Sequence, residues 1–331
     1  MRMKAVTYSE YGPPSVLHLE EVEKPVPKDD EVLIRVMAAE VTKSDIEMRR
    51  FRFAVKWFWL PMRLAFGVRR PRRRILGGYF SGIVEAVGSK VTGLGKGDQV
   101  FGSTGMRFGA YGEFLALPMS YLIVEKPVNM SFEDAAAVPL GGLNALHFLR
   151  LAKIQPGDKV LINGAGGSIG AYGIQIAKCM GADVTAVDSK IKESFVRRMG
   201  ADHFIDYTRD DFTKSGQTYD VIFDMVPDSA YSACINILKP NGRYLSGNPR
   251  LSVMMRAVLT TRFTDKTARV AFAGETREEL ETLKAMIENG EITSILDRVY
   301  PMDQAADAHT RVESEQRVGA VVMSIGDSPD A

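Results

Sequence analysis

The sequence predicts an α/β fold in which a doubly wound parallel sheet is inserted into a second, β-rich, barrel-like domain. Three observations carry this. The first third reads as short strands broken by Gly and Pro, the middle alternates strands with helices, and one strand-to-helix junction is rich in glycine. At 331 residues, 45% hydrophobic and 25% charged, the chain is long enough for two cores.

In order, "KAVTY", "VLHLEEV" and "EVLIRVMAAEV" show strand-like alternation between turns such as "YGPP" and "KPVPKDDE". "FSGIVEAVG", "GDQVFGS" and "AYGEFLALP" continue the pattern, with Gly93, Gly95 and Gly97 marking turns. At Ser131 the character changes. Ser131 with Asp134 three residues on has the form of a capping box, opening a helix that Pro139 and Gly141–Gly142 are expected to interrupt. Strands "KVLING", "DVTAVD", "HFIDY", "DVIFDMV", "GRYLSG" and "ARVAFAG" then follow, with helices "SIGAYGIQIAKCMG", "KESFVRRMG" and "SAYSACINILK" among them. A helix over "TREELETLKAMIENGEI" and a strand "GAVVMSI" end the series, "TREELE" reading as a solvated helix start.

A formal charge of +1 gives no global attraction to nucleic acid. Two cysteines, Cys179 and Cys234, make neither a disulfide framework nor a four-cysteine zinc site, and they read as buried helix residues in a reducing compartment. "MRMKAVTYSEYG" has no apolar core after its positive charges, so no secretory signal is expected and a cytoplasmic location is. No window reaches the ~18 uncharged apolar residues of a membrane span.

The sharpest local signal is Ala165-Gly166-Gly167-Ser168-Ile169-Gly170, between a strand and a helix, with Asp188 ending the next strand. This is a dinucleotide fingerprint with alanine at its first glycine. Pyrophosphate must approach backbone N–H groups at a helix N-terminus with no side chain in the way.

Together with "ILGGYFSGIVEAVGSKVTGLGKGDQVFG", "GAYGEFLALP", "FEDAAAVPLGGLNALHFL", "GADHFIDYTRDDF" and "LKPNGRYLSGN", this motif makes the chain resemble the medium-chain dehydrogenase/reductase superfamily. The likeness is to its zinc-independent, zeta-crystallin-like quinone oxidoreductase branch. It implies a GroES-like substrate domain from residues 1–125 and 275–331 around a Rossmann domain at 126–274. It also implies a homodimer paired near "ARVAFAG". Zinc members carry a cysteine in the segment matching "AAEVTKSD" and Gly-His-Glu in that matching "LGGYFSG". Here Thr42 takes the cysteine position, and Gly78 and Tyr79 stand where His and Glu would, so no metal is expected.

Without a Lewis acid, hydride transfer suits an acceptor that spreads charge by conjugation, a quinone or an α,β-unsaturated carbonyl. Thr42, Tyr79 and Asp45 are the catalytic candidates. Their plainer readings are a turn residue, strand packing and a helix N-cap. For the cofactor, Asp188 favours the ribose 2′-OH of NADH, whereas Ser189, Lys192 and Tyr207 match positions that hold the 2′-phosphate of NADPH in relatives. NADPH is preferred, with NADH open. Asn144, Gly247, Asn248 and Phe272 are carried over as residues near the cofactor. His18, His147, His203 and His309 lack metal-ligand spacing, and His147 reads as packing. A non-catalytic NADPH-binding sensor or structural protein and a zinc-free alcohol dehydrogenase remain open as alternatives.

One stretch fits none of this. "FRFAVKWFWLPMRLAFGVRRPRRR", Phe51 to Arg74, holds both tryptophans and eight bases without an acid. It is read as a lid in which Trp57, Phe58, Trp59 and Met62 roof an apolar substrate pocket. Peripheral membrane contact is the alternative.

Overall fold

The computed structural model describes residues 1–53 and 55–326. Ala54 of the aromatic-basic stretch and the last five residues of the expected 275–331 segment lie outside the described residues. The first half contains β1 (Arg2–Thr7), β2 (His18–Glu23), β3 (Glu31–Val41), α1 (Lys43–Arg50), α2 (Trp59–Phe66), β4 (Tyr79–Val87), β5 (Gln99–Ser103), β6 (Phe114–Pro118) and β7 (Leu122–Glu125). Then come α3 (Phe132–Ala136), α4 (Val138–Ala152), β8 (Lys159–Asn163), α5 (Ser168–Cys179), β9 (Asp183–Asp188), α6 (Glu193–Arg198), β10 (His203–Asp206) and β11 (Tyr219–Asp224). The chain closes with α7 (Tyr231–Asn236), β12 (Leu238–Ser246), α8 (Leu251–Phe263), β13 (Thr267–Val270), α9 (Arg277–Glu288), β14 (Leu296–Pro301), α10 (Ala305–Glu313) and β15 (Ala320–Ser324).

The middle strands form a six-stranded sheet in the order β10-β9-β8-β11-β12-β13, every neighbour parallel. Its inner strands are buried on both faces, which is why "VLI" and "VIF" are apolar runs rather than alternating ones. The chain reverses direction across the sheet between β8 and β11, so the C-terminal ends of these strands open toward a ligand crevice.

The other sheet runs β14-β15-β3-β4-β5-β7, with β6 also on β3. β3 takes partners from β15, β4 and β6, so 10 of its 11 residues are buried. Both chain ends therefore build one sheet. α9 lies across the junction: Leu280, Leu283 and Ile287 share a core with α4, while Arg277 Nη1 donates to the Ile123 carbonyl of β7 at 2.7 Å.

Four expectations change. The helix after Ser131 breaks at Ala137, before Pro139, and Gly141–Gly142 lie inside α4. A Cβ at Gly141 would stand 2.7 Å from the Ser168 carbonyl, so the glycine lets α4 lie against α5 instead of breaking it. The sequence pattern assigns nothing to α8, and the reason is visible: of its 13 residues only Ala257 is buried, so no core-facing stripe exists to be read. Cys179 is exposed at the end of α5, whereas Cys234 is buried. "TREELE" is not wholly solvated, because Glu279 is buried and meets His147 Nδ1 at 3.1 Å, tying α9 to α4.

Gly319 joins the sheets. Its N–H donates to the Gly166 carbonyl at 3.0 Å, and Gly167 and Gly319 form a parallel bridge. Gly319 has φ +93°, and a Cβ there would fall 1.9 Å from the Ile295 carbonyl. Gly93 also has positive φ, at +83°, but nothing lies within 4 Å of its Cβ position. Gly93→Ala should therefore cost only the left-handed strain, about 1–2 kcal/mol. Gly319→Ala should add a backbone clash, for a total of about 3 kcal/mol or more. Paired thermal melts check the ranking.

Candidate active site at the junction of the two sheets

The glycine-rich turn leaves β8 and opens α5. Gly167 is the N-cap, and no side chain caps the first turn, so the leading N–H groups lack intrahelical partners. A Cβ at Gly170 would sit 2.4 Å from the Gly164 carbonyl and 2.6 Å from Ala165 Cα, so only glycine lets the helix leave the strand this closely. Ala165 is fully buried, Ile169 packs beside the same core, and neither side chain obstructs the turn. Asn248 Nδ2, past the end of β12, is buried without a hydrogen-bond partner. An open helix N-terminus after β8 and an orphaned amide past the end of β12, in the same sheet, fit a dinucleotide.

Around the end of β9, Asp188 accepts from the N–H of Gly166 and of Ser189, each at 2.8 Å. Lys192 Nζ pairs with it at 3.2 Å, and both residues are buried. The lysine stem crosses Gly166, its Cδ 2.4 Å from where a Cβ would be. Tyr207 is exposed beside this corner, its N–H donating to the Asp188 carbonyl at 3.3 Å. Asn144 Nδ2 turns back to the Leu140 carbonyl of its own helix at 2.9 Å, and a Cβ at Gly247 would be 2.9 Å from Met225 Cε.

Facing the turn is the end of β3. Thr42 caps α1, its Oγ1 accepting from the Asp45 N–H at 3.1 Å and donating to Asp45 Oδ2 at 2.6 Å. Asp45 also accepts from the N–H of Thr42 at 3.0 Å and of Gly77 at 2.9 Å. Burial raises the Asp45 carboxyl above its usual range, and these bonds pull it partly back. Thr42 is thus the cap and Asp45 the third helical residue, a reciprocal box that pins α1 to the "LGGY" segment. The single hydroxyl proton of Thr42 is committed to Asp45. The Tyr79 phenol donates to Glu275 Oε1 at 2.6 Å, on the connection from β13 to α9. Burial, then the Glu275 carboxylate, raises the phenol pKa well above its usual value.

Trp57 and Phe58 cross to the parallel-sheet side. Trp57 Nε1 donates to the Pro249 carbonyl at 3.0 Å, and Phe58 packs against Phe272 with ring centroids 5.3 Å apart. Met62 and Phe66 point the other way, into the core of the β-rich half. Trp59 is part exposed and meets Phe51 edge-on at 6.4 Å. The Arg63 guanidinium lies over Phe51 at 4.0 Å and Tyr11 at 4.7 Å. Among the described residues, no three His, Cys, Asp or Glu side chains cluster as a metal site, and no helix is long and apolar enough to cross a membrane. An open depression of about 590 Å³ between β7 and α9 contains none of these residues.

Residues 28–128 match the family model described as alcohol dehydrogenase GroES-like domain, and residues 199–323 the one described as zinc-binding dehydrogenase. The chain is 31% identical over 333 residues to a 2-methylene-furan-3-one reductase of Solanum lycopersicum, covering 97% of this chain and 79% of the relative. It belongs to the medium-chain dehydrogenase/reductase superfamily, in the quinone oxidoreductase branch. It is 30% identical over 334 residues to the chloroplastic NADPH-dependent alkenal/one oxidoreductase of Arabidopsis thaliana, covering 97% and 79% of the two chains. The quinone oxidoreductase structure from Coxiella burnetii superposes with a TM-score of 0.87 at 28% identity, covering 98% and 100%. This superfamily member is an NAD(P)H-dependent oxidoreductase with a nicotinamide cofactor. Its two units are the GroES-like and Rossmann-type sheets described above.

Sequence reasoning misses Glu40 and Glu275. Glu40 had a signal, a lone acid in the otherwise apolar end of β3. Glu275 had none, because only the fold brings it to Tyr79. Glu40 is fully buried and accepts from Ser168 Oγ at 2.8 Å, so the Ser168 hydroxyl points at the β-rich half. Burial pushes the Glu40 carboxyl up to about 8, with Ser168 and Arg317 opposing. A raised carboxyl stabilises the fold while protonated, and that contribution is lost as pH rises from the ordinary value of 4.5 through about 8. Glu40→Gln mimics the protonated acid. Its Tm should match wild type near pH ~4 and exceed it progressively from pH ~5 to pH ~8, by roughly 2 °C per kcal/mol, as measured in melts across that range.

Proposed function

We propose that this protein reduces conjugated acceptors, quinones or α,β-unsaturated carbonyls, with NADPH and without zinc, in the cytoplasm. One observation carries the reading: Glu40 of β3 both accepts from Ser168 at the open glycine-rich helix start and acts electrostatically on the Tyr79 phenol, while Thr42 stands at the cysteine position and Gly78 and Tyr79 at the His and Glu positions of metal-dependent relatives. The names of the relatives, an alkenal/one reductase and a quinone oxidoreductase, support the same acceptor class. When bound, the reduced nicotinamide supplies the hydride. Ser168, Ile169 and Gly170 hold the pyrophosphate through their N–H groups, Gly166 and Gly167 keep side chains out of its way, and Asn248 holds a polar group of the cofactor. Asp45 fixes Thr42 and the Gly77–Tyr79 backbone, and Tyr79 gives the proton. Delocalisation in the acceptor lets a phenol serve where a simple ketone would need a Lewis acid.

NADPH is preferred because Lys192 already neutralises Asp188 at 3.2 Å, which removes the repulsion a bare carboxylate would exert on a 2′-phosphate. Ser189 and Tyr207 flank the same corner. A second copy of the chain is proposed to pair along β13, the edge of the parallel sheet. Met255, Val258, Leu259 and Phe263 of the neighbouring α8 are more than half exposed there and would be covered.

Steady-state NADPH oxidation over a panel of quinones and enones tests the reading. Wild type should turn over several of them, and Lys192→Glu should raise KM for NADPH at least ~10-fold, about 1.4 kcal/mol, with KM for NADH little changed. Cofactor binding with no turnover on any acceptor would leave the non-catalytic alternative standing.

Trp57 and Phe58 are the proposed lid. Since Met62 and Phe66 are core residues, the lid is best tested by Trp57→Ala with Phe58→Ala rather than by deletion. KM should rise roughly tenfold for bulky apolar acceptors and stay near wild type for small ones. Equal effects on both classes would remove the lid.

A further inference from the structure

Tyr79 and Glu275 lie 196 residues apart and meet across the junction at 2.6 Å. A phenol has one proton to give, and here it points at Glu275. While Glu275 is ionised, it competes with any acceptor for that proton. Once Glu275 is protonated the pair reverses: the acid donates to the phenol oxygen, and the phenol O–H is free. The surroundings suit that exchange. Glu275 is exposed, so its carboxylate reaches solvent, and no Lys or Arg pairs with it among the described residues. Tyr79 is half-buried, and Glu40 on β3 and Asp45 on α1 add to burial and Glu275 in keeping its phenol protonated. The nearby Thr42 hydroxyl is spent on Asp45. Next to Tyr79, nothing stands within 4 Å of a Cβ built on Gly78, which leaves room for an acceptor.

We infer that Glu275 is a positioning residue that reloads Tyr79 with protons from solvent. The inference rests on Tyr79 being the donor. Hydride adds to the β-carbon of the acceptor, and the C=C electron pair moves toward the carbonyl to give an enolate. The enolate α-carbon then takes the Tyr79 proton, so a C–H bond forms as the phenol O–H breaks. The Glu275 carboxylate takes a proton from a solvent acid, hydronium or buffer, and passes it to the phenolate oxygen, which leaves a phenol and a carboxylate as before. The acceptor gains one hydride and one proton, and both side chains return to their starting states.

The test compares wild type, Tyr79→Phe, Glu275→Gln and Glu275→Ala with NADPH and a simple enone. Tyr79→Phe should lower kcat by about 10²-fold and leave NADPH affinity within about twofold. Glu275→Gln retains an oxygen to accept from the phenol and loses the exchangeable proton. Its kcat should fall about tenfold with KM little changed, and its solvent deuterium isotope effect should rise. Imidazole buffer should restore Glu275→Ala in proportion to its concentration and leave Tyr79→Phe/Glu275→Ala unmoved. Wild-type kcat in Glu275→Gln, or no imidazole response in folded Glu275→Ala, would reduce Glu275 to a tie between β4 and the β13–α9 connection. Full activity in Tyr79→Phe would instead overturn the donor assignment, and absence of turnover by wild type would overturn the acceptor class itself.

Discussion

Everything in the proposed site depends on how the glycine-rich turn is held. Its own sheet fixes only one side. The other side is fixed by the β-rich half, through the Gly319 N–H on the Gly166 carbonyl and the Ser168 hydroxyl on Glu40. The backbone that would receive pyrophosphate is therefore shared between two folding units. The chain topology explains how this is possible. Because β14 and β15 return to the first sheet after the parallel sheet is complete, Gly319 can be delivered to a turn formed some 150 residues earlier. A buried carboxyl at the joint is expensive when ionised, and Glu40 avoids that cost by keeping its proton at neutral pH.

The same junction separates the tasks of the hydroxyl-bearing residues. Thr42 and Asp45 satisfy each other inside a capping box, so their chemistry is turned inward and their effect is geometric. Tyr79 is the one whose partner, Glu275, comes from the connection between β13 and α9. Capping, which fixes α1, and the proton handling proposed for Tyr79 thus fall to different residues one strand apart.

The architecture was legible because its signals are local. The inner strands β8 and β11 show as apolar runs, and the turn "GAGGSIG" declares itself by backbone demands that few other residues satisfy. The corner around Asp188 was readable too, since Ser189 and Lys192 follow it directly in the chain. What the sequence hid depends on long-range approach. Trp57 on Pro249 and Tyr79 on Glu275 join segments that share no pattern. α8 was silent for a different reason: a helix that packs one alanine has no periodicity to betray it. The break at Ala137 instead of Pro139 shows the limit of breaker residues, since proline within the first turn of a helix costs no hydrogen bond.

The aromatic-basic stretch has one more consequence. Both tryptophans of the chain belong to it, Trp57 bonded to a backbone carbonyl of the opposite half and Trp59 part exposed against Phe51. Neither Rossmann-type nor barrel core contains an indole. Its tryptophan emission, excited apart from the 11 tyrosines, is thus a built-in optical gauge of this stretch and its contact with Pro249, and it needs no label to be read.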